Sequence, residues 1–169
     1  MNAKEAIITA LKEYRAITGL RSYLIEDEDD INSAAEKNYF CKCLKTSAAA
    51  LRHCEECTSE NYRNALQSDK VCMYSCHAGL VKWSMPIRCN AFSGVVISEG
   101  VITKQQVKDA ETWVHYLSEH YNVRKDVLQD NYQVIKEMTE EEVNISSIKL
   151  LKDLIDYQLA MLDAHPVQG

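Results

Sequence analysis

Val71–Ile87, VCMYSCHAGLVKWSMPI, holds two of the chain's seven cysteines, a Cys-His pair with a glycine two residues on, and one of its two prolines. Polar and apolar residues alternate on either side of Ala78 and Gly79, which is the period of a half-buried strand, so the stretch reads as strand, turn, strand. It forms the middle of a sheet. Pro86 marks the second run as an edge strand or a bulge, because proline brings no N–H to a ladder. After a turn over Asn90–Ser93, Gly94–Ile102 continues the pattern as a third strand.

Upstream, Ile7, Leu11, Tyr14 and Ile17 recur at helical spacing and Gly19 offers the left-handed position that ends helices, which predicts a helix over 3–18. Arg21–Glu26 follows as a short strand. The acidic run Glu26–Asp30 reads as a solvated turn, since it lacks the spacing and turn glycine of a calcium loop. Ala34, Ala35, Phe40 and Leu44 mark a helix carrying Cys41 and Cys43. Ser47 caps a short helix over Ala48–His53, and another covers Ser59–Gln67, which puts Cys54 and Cys57 at a helix junction.

Downstream, Thr103 and Gln106 form a capping box that opens a long helix through Tyr121, and a further helix covers Lys125–Glu137. A second box at Thr139 and Glu142 precedes an apolar stripe, Leu150, Leu151, Leu154, Ile155, Leu159 and Leu162, that stops before Pro166. This stripe is the expected dimer surface, if it does not pack on its own domain. Helices flanking an antiparallel sheet make the chain α+β, a single domain over 1–169 with its core at about 7–122 and a helical extension at about 123–163.

A length of 169 residues holds one domain with a real core but not two. The net charge of −6 and the absence of a Lys/Arg cluster exclude a surface that neutralises nucleic-acid phosphates. No apolar run has the length of a membrane span or the form of a signal peptide, which predicts a cytoplasmic protein. No acid/base pair or cofactor loop stands out, so the expectation is that it is not an enzyme.

In a reducing compartment, seven cysteines at close spacing point to metal or redox chemistry before a disulfide framework. Cys41 and Cys43, if helical, point about 200° apart, and only Cys41 lies near the face of Phe40 and Leu44. Cys72 and Cys76 share a strand face yet stand roughly 13 Å apart, too far for one ion or cluster. Cys89, at a strand end, has no close partner in sequence. What remains is Cys41, Cys54, Cys57 and Cys76, the four thiolates that a structural zinc or a four-cysteine iron–sulfur cluster takes. The spacing matches no zinc-ribbon or ferredoxin pattern, so buried free thiols and a regulatory disulfide stay open beside a metal centre. His77 follows Cys76, but neighbours on a strand face opposite ways, which predicts no nucleophile and base dyad.

The runs TGLRSYLIEDED from Thr18, NYFCKCLK from Asn38, the Cys54 region, YSCHAGLVKWSMPI from Tyr74 and GVVISEGVIT from Gly94 together resemble the PocR sensory-domain family, from about Ile7 to Leu162. The most specific part is the Tyr-x-Cys-His-Ala-Gly-Leu and Pro-Ile signature. The resemblance implies a PAS-like fold and a signal-input domain of transcription regulators or histidine kinases, proposed to sense small hydrocarbon derivatives such as propanediol. Ser98, Glu99 and Gly100 stand where such domains carry Gly-Gln. A ligand-binding family makes Tyr74, His77, Trp83 and Met85 the expected lining of a small apolar pocket. Two readings follow: a sensor with a cysteine-bound metal or iron–sulfur centre that answers to redox state or a small ligand, and a metal-free receptor for a small organic molecule such as a short diol. In both, the output passes through a homodimer or a partner signalling protein.

Overall fold

The computed structural model describes residues 1–31, 38–90 and 92–164, and its first element is helix α1, Ala3–Thr18. The Asn2 side chain accepts from Glu5 N while the Glu5 carboxylate accepts from Asn2 N, and Gly19 ends the helix at φ +76°. Strand β1, Ser22–Ile25, comes next, and the acidic run closes into one 3₁₀ turn over Glu28–Asp30. Helices α2, Tyr39–Leu44, and α3, Ala48–Ser68, precede the remaining strands: β2, Cys72–Ser75; β3, Val81–Cys89; and β4, Phe92–Ser98. The chain then runs through α4, Lys104–Lys108, α5, Ala110–Tyr121, and α6, Lys125–Tyr132. A π-helical stretch, Glu142–Lys149, leads into α7, Leu150–Ala164. The four strands form one antiparallel sheet in the order β1-β4-β3-β2, and the class is α+β as expected.

Cross-strand pairs decide which side chains share a face. Tyr74 stands opposite Lys82 and Met73 opposite Trp83, while Met85 pairs with Val96 and Ser84 with Ile97. Trp83, Met85, Ile87 and Val96 therefore look toward α1 and α7, where they are buried with Ile7, Ala10, Tyr14, Leu151 and Ile155. The opposite face meets α3, whose Tyr62 and Ala65 pack on Ile25, Val95 and Ile97. A third cluster, built from Phe40, Leu44, Leu80, Val114, Leu117 and Leu128, joins α2, α5 and α6 at the end of the β2–β3 hairpin.

Several boundaries differ from the sequence reading. α3 is one unbroken helix through Cys54 and Cys57, not two helices meeting there. Between His53 and Ser59 there is no glycine or proline to stop it, and Arg52 and Glu56 stand 3.9 Å apart one turn along. Strand β3 is interior, not an edge, but β2 ends opposite Ser84, so at Pro86 only β4 lies alongside and no ladder bond is lost. The long helix from Thr103 breaks at Asp109 into α4 and α5. Ala34 and Ala35 lie outside the described residues. The apolar stripe of α7 buries Leu151 and Ile155 with the residues of α1 and turns Tyr157 and Met161 outward. Among the described residues, no helix is long and apolar enough to cross a membrane.

Candidate functional site: a cysteine-lined cavity

Cys54 and Cys57 lie one turn apart on α3, in line with Tyr62 and Ala65, which pack on the sheet. α2 presents Cys41. Strand β2 presents Tyr74 and, just past its end, Cys76 and His77. The four cysteines singled out by spacing all line one cavity of about 20 Å³, together with Tyr74, His77 and Lys82. That is room for about one water molecule. Every cysteine in the chain is a free thiol. Among the described residues, no three His, Cys, Asp or Glu side chains are grouped so as to hold a metal ion.

The other cysteines are elsewhere. The Cys43 sulfur turns to α6, where Asn131 Nδ2 reaches it at 3.5 Å. Cys72 donates to Lys70 O at 3.5 Å, and Cys89 ends β3. The expected four-residue pocket lining does not form, because Trp83 and Met85 belong to the core on the opposite sheet face from Tyr74. Tyr74 and His77 do share the cysteine cavity.

Burial sets the electrostatics. It pushes the Cys76 thiol up, against the pull of Lys82, and pushes the Cys57 thiol up with Cys76 nearby adding to the effect. Both keep their protons at neutral pH, the state of an unreactive buried thiol. The Tyr74 hydroxyl, pushed up to about 12 mainly by burial, has no hydrogen-bond partner among the described residues.

Cys76 and His77 lie in a turn and not on a strand, which is why both can reach one cavity: Cys76 N donates to Leu80 O at 2.9 Å and Gly79 N to Cys76 O at 2.8 Å. His77 is nonetheless committed elsewhere. Its Nδ1 is 3.2 Å from the Tyr121 hydroxyl, and His53 Nδ1 is 2.8 Å from the same oxygen. A phenol has one proton to donate, so one of these histidines must donate its own Nδ1–H to the tyrosine oxygen. Burial first, then His53, Lys45 and Lys82, lowers His77 to about 4 and leaves the imidazole neutral. A protonated thiol beside an uncharged, hydrogen-bonded imidazole is not an activated nucleophile.

The turn is held from outside as well. Trp113 Nε1 donates to Ala78 O at 2.6 Å, and the Gln106 amide donates to Gly79 O. Gly79 has φ +82°, and a Cβ there would sit 2.8 Å from the Trp113 ring. Sequence reasoning missed His53, Tyr121 and Lys82. The neighbour of Cys54 in HCEEC was a signal for His53, and a hairpin centred on Ala78 was one for Lys82; for Tyr121 there was none.

A family model described as the sensory domain found in PocR matches residues 3–161. The chain belongs to the PocR sensory-domain family. It is thus a signal-input domain, and the match runs from α1 into α7. No curated protein and no solved structure gives a significant match.

Proposed function

We propose that the cysteine-lined cavity is where this sensory domain receives its signal, and that Cys41, Cys54, Cys57 and Cys76 take up a soft metal there, as zinc or an iron–sulfur cluster. The observation that carries this reading is the convergence of four thiols from α2, α3 and the β2–β3 turn on one cavity of about 20 Å³. Sulfur donors select zinc and iron–sulfur centres. Filling a core with small residues accounts for one cysteine far better than for four around one point.

The donor set fits such a group, while the spacing is looser than a single ion requires. Sulfurs at about 2.3 Å from a shared ion lie about 3.8 Å from each other, and no described trio is so disposed. Uptake therefore asks the thiols to lose their protons and α2 and α3 to approach the turn. That demand suits a sensor, because a ligand shifts a conformational equilibrium only through unequal affinity for its two states. Tyr121, bonded to the neighbour of Cys54 and to the neighbour of Cys76, links α3 and the turn to α5.

Anaerobic purification followed by an absorption spectrum and iron, sulfide and zinc analysis tests the reading. About one centre per chain is expected, lost when Cys54 and Cys57 are replaced by serine. A colourless protein with less than about a tenth of an equivalent of either metal contradicts it.

The Tyr74 hydroxyl, buried on the same cavity without a partner among the described residues, favours a second reading. In it the domain is a metal-free receptor for a small organic molecule such as a short diol, whose oxygen accepts a hydrogen bond from the Tyr74 hydroxyl as the cavity widens. Propane-1,2-diol would then raise the melting temperature of wild type and of the Cys54→Ser, Cys57→Ser variant alike.

A further inference from the structure

We infer that a second site, the groove between α1 and β1, binds a small organic anion with an aliphatic body, of the class of an aliphatic carboxylate. The groove has a volume of about 550 Å³ and lies away from the cysteines. β1 is one of the sheet's two edge strands, paired among the described residues with β4 alone. Ile8 and Leu11 of α1 and Leu24 of β1 give the groove apolar walls.

Its charges are sorted along its length. Lys4, at the start of α1, bonds Glu26 at 2.7 Å and feels Asp30, so the two acidic groups of the groove gather at that end. Lys12 and Arg15 lie eight and eleven residues further along the helix, about 12 to 16 Å away. Both are exposed, and neither has an ion-pair partner among the described residues. On an acidic chain of net charge −6, this end of the groove stands out as cationic.

Two hydrogen-bond donors complete the site. Arg21 is held by Glu99, which accepts from Arg21 N at 3.1 Å and lies 3.5 Å from its Nη1, yet Arg21 Nε is buried without a partner among the described residues. The Ser22 hydroxyl is likewise buried without a partner among those residues. Buried donors left unpaired are rare in folded proteins; both residues line this groove, and the two atoms lie just beneath its surface, so a ligand takes them as the wall parts. A carboxylate satisfies such donors and meets the charges of Lys12 and Arg15, while an aliphatic tail covers the apolar walls. An alcohol would leave the charges unmet, and a short anion would leave the walls bare.

The test is calorimetric titration of the full chain with sodium octanoate, octan-1-ol and sodium acetate, with amide shifts followed by NMR. Octanoate is expected to bind at least about tenfold more tightly than either control and to shift the amides of α1 and β1. Replacing Lys12 and Arg15 by glutamine, at exposed positions that leave the fold intact, should weaken octanoate about tenfold, and Ser22→Ala by a few-fold. The Cys54→Ser, Cys57→Ser variant should bind octanoate as wild type does, whatever its metal content. A flat titration, octanol binding as tightly as octanoate, an unchanged affinity in the Lys12 and Arg15 variant, or shifts confined to the cysteine cavity would each overturn the assignment.

Discussion

Tyr121 places one oxygen between two histidines that neighbour two of the cavity cysteines, and its removal is the sharpest test of how that corner is held. Tyr121→Phe leaves an imidazole N–H without its acceptor and should lower unfolding free energy by about 1–2 kcal/mol in urea titrations. His77 adds a pH dependence whose sign is fixed by its depressed value. Between pH 6.5 and about 4 the unfolded chain holds a proton on His77 that the folded chain does not, so stability falls with pH across that window and is fully present above it. After allowance for solvent screening the loss is about 2 kcal/mol, and His77→Gln should flatten the corresponding part of the profile relative to wild type. Helix geometry sets Cys43 aside, strand spacing parts Cys72 from Cys76, and Cys89 lacks a close partner in sequence; the four cysteines that remain line one cavity. Tyr121 was not legible in the sequence, since it comes from α5, 44 residues beyond His77, and no local pattern ties it to the turn.

α3 is the element on which the sequence reading and the structure part most clearly. Ser47 caps the helix as the sequence predicts, its hydroxyl accepting from Ala50 N at 3.3 Å, yet the helix runs unbroken through the C-x-x-C, where the sequence reading places a junction. Cysteine is an indifferent helix former but no helix breaker, and the flanking residues carry the helix through. Its continuity matters, because it fixes Cys54 and Cys57 on the face that also buries Tyr62 and Ala65. Glu55→Pro, at an exposed position, should cost about 3 kcal/mol or more in an unbroken helix, whereas a true junction would tolerate it; denaturant midpoints decide. The β2–β3 hairpin follows the sequence pattern in outline. Its faces depart from the expected pocket, since Trp83 and Met85 share a face with each other but stand across the sheet from Tyr74, as pairing about Ala78 requires.

The whole molecule is a sheet with α1 and α7 on one face and α3 on the other, and its C-terminal helix belongs to the core that α1 and the sheet share. The apolar stripe of α7 was plain in the sequence, but an amphipathic period does not say what covers it. Leu151, fully buried in that core, should cost about 3 kcal/mol when cut to alanine, as a midpoint shift independent of protein concentration. A concentration-dependent shift would instead put a second copy on that face. Between the sheet and α3, the same architecture brings thiols from three segments to one cavity, and the proposed signal enters there. The most direct measurement is the X-ray absorption spectrum of the anaerobically purified, metal-loaded chain. A first shell of about four sulfur neighbours is the predicted result, falling in Cys76→Ser to about three around zinc and by a fraction of a sulfur per iron in a cluster. A shell of nitrogen and oxygen alone, or one that Cys76→Ser leaves unchanged, would contradict it.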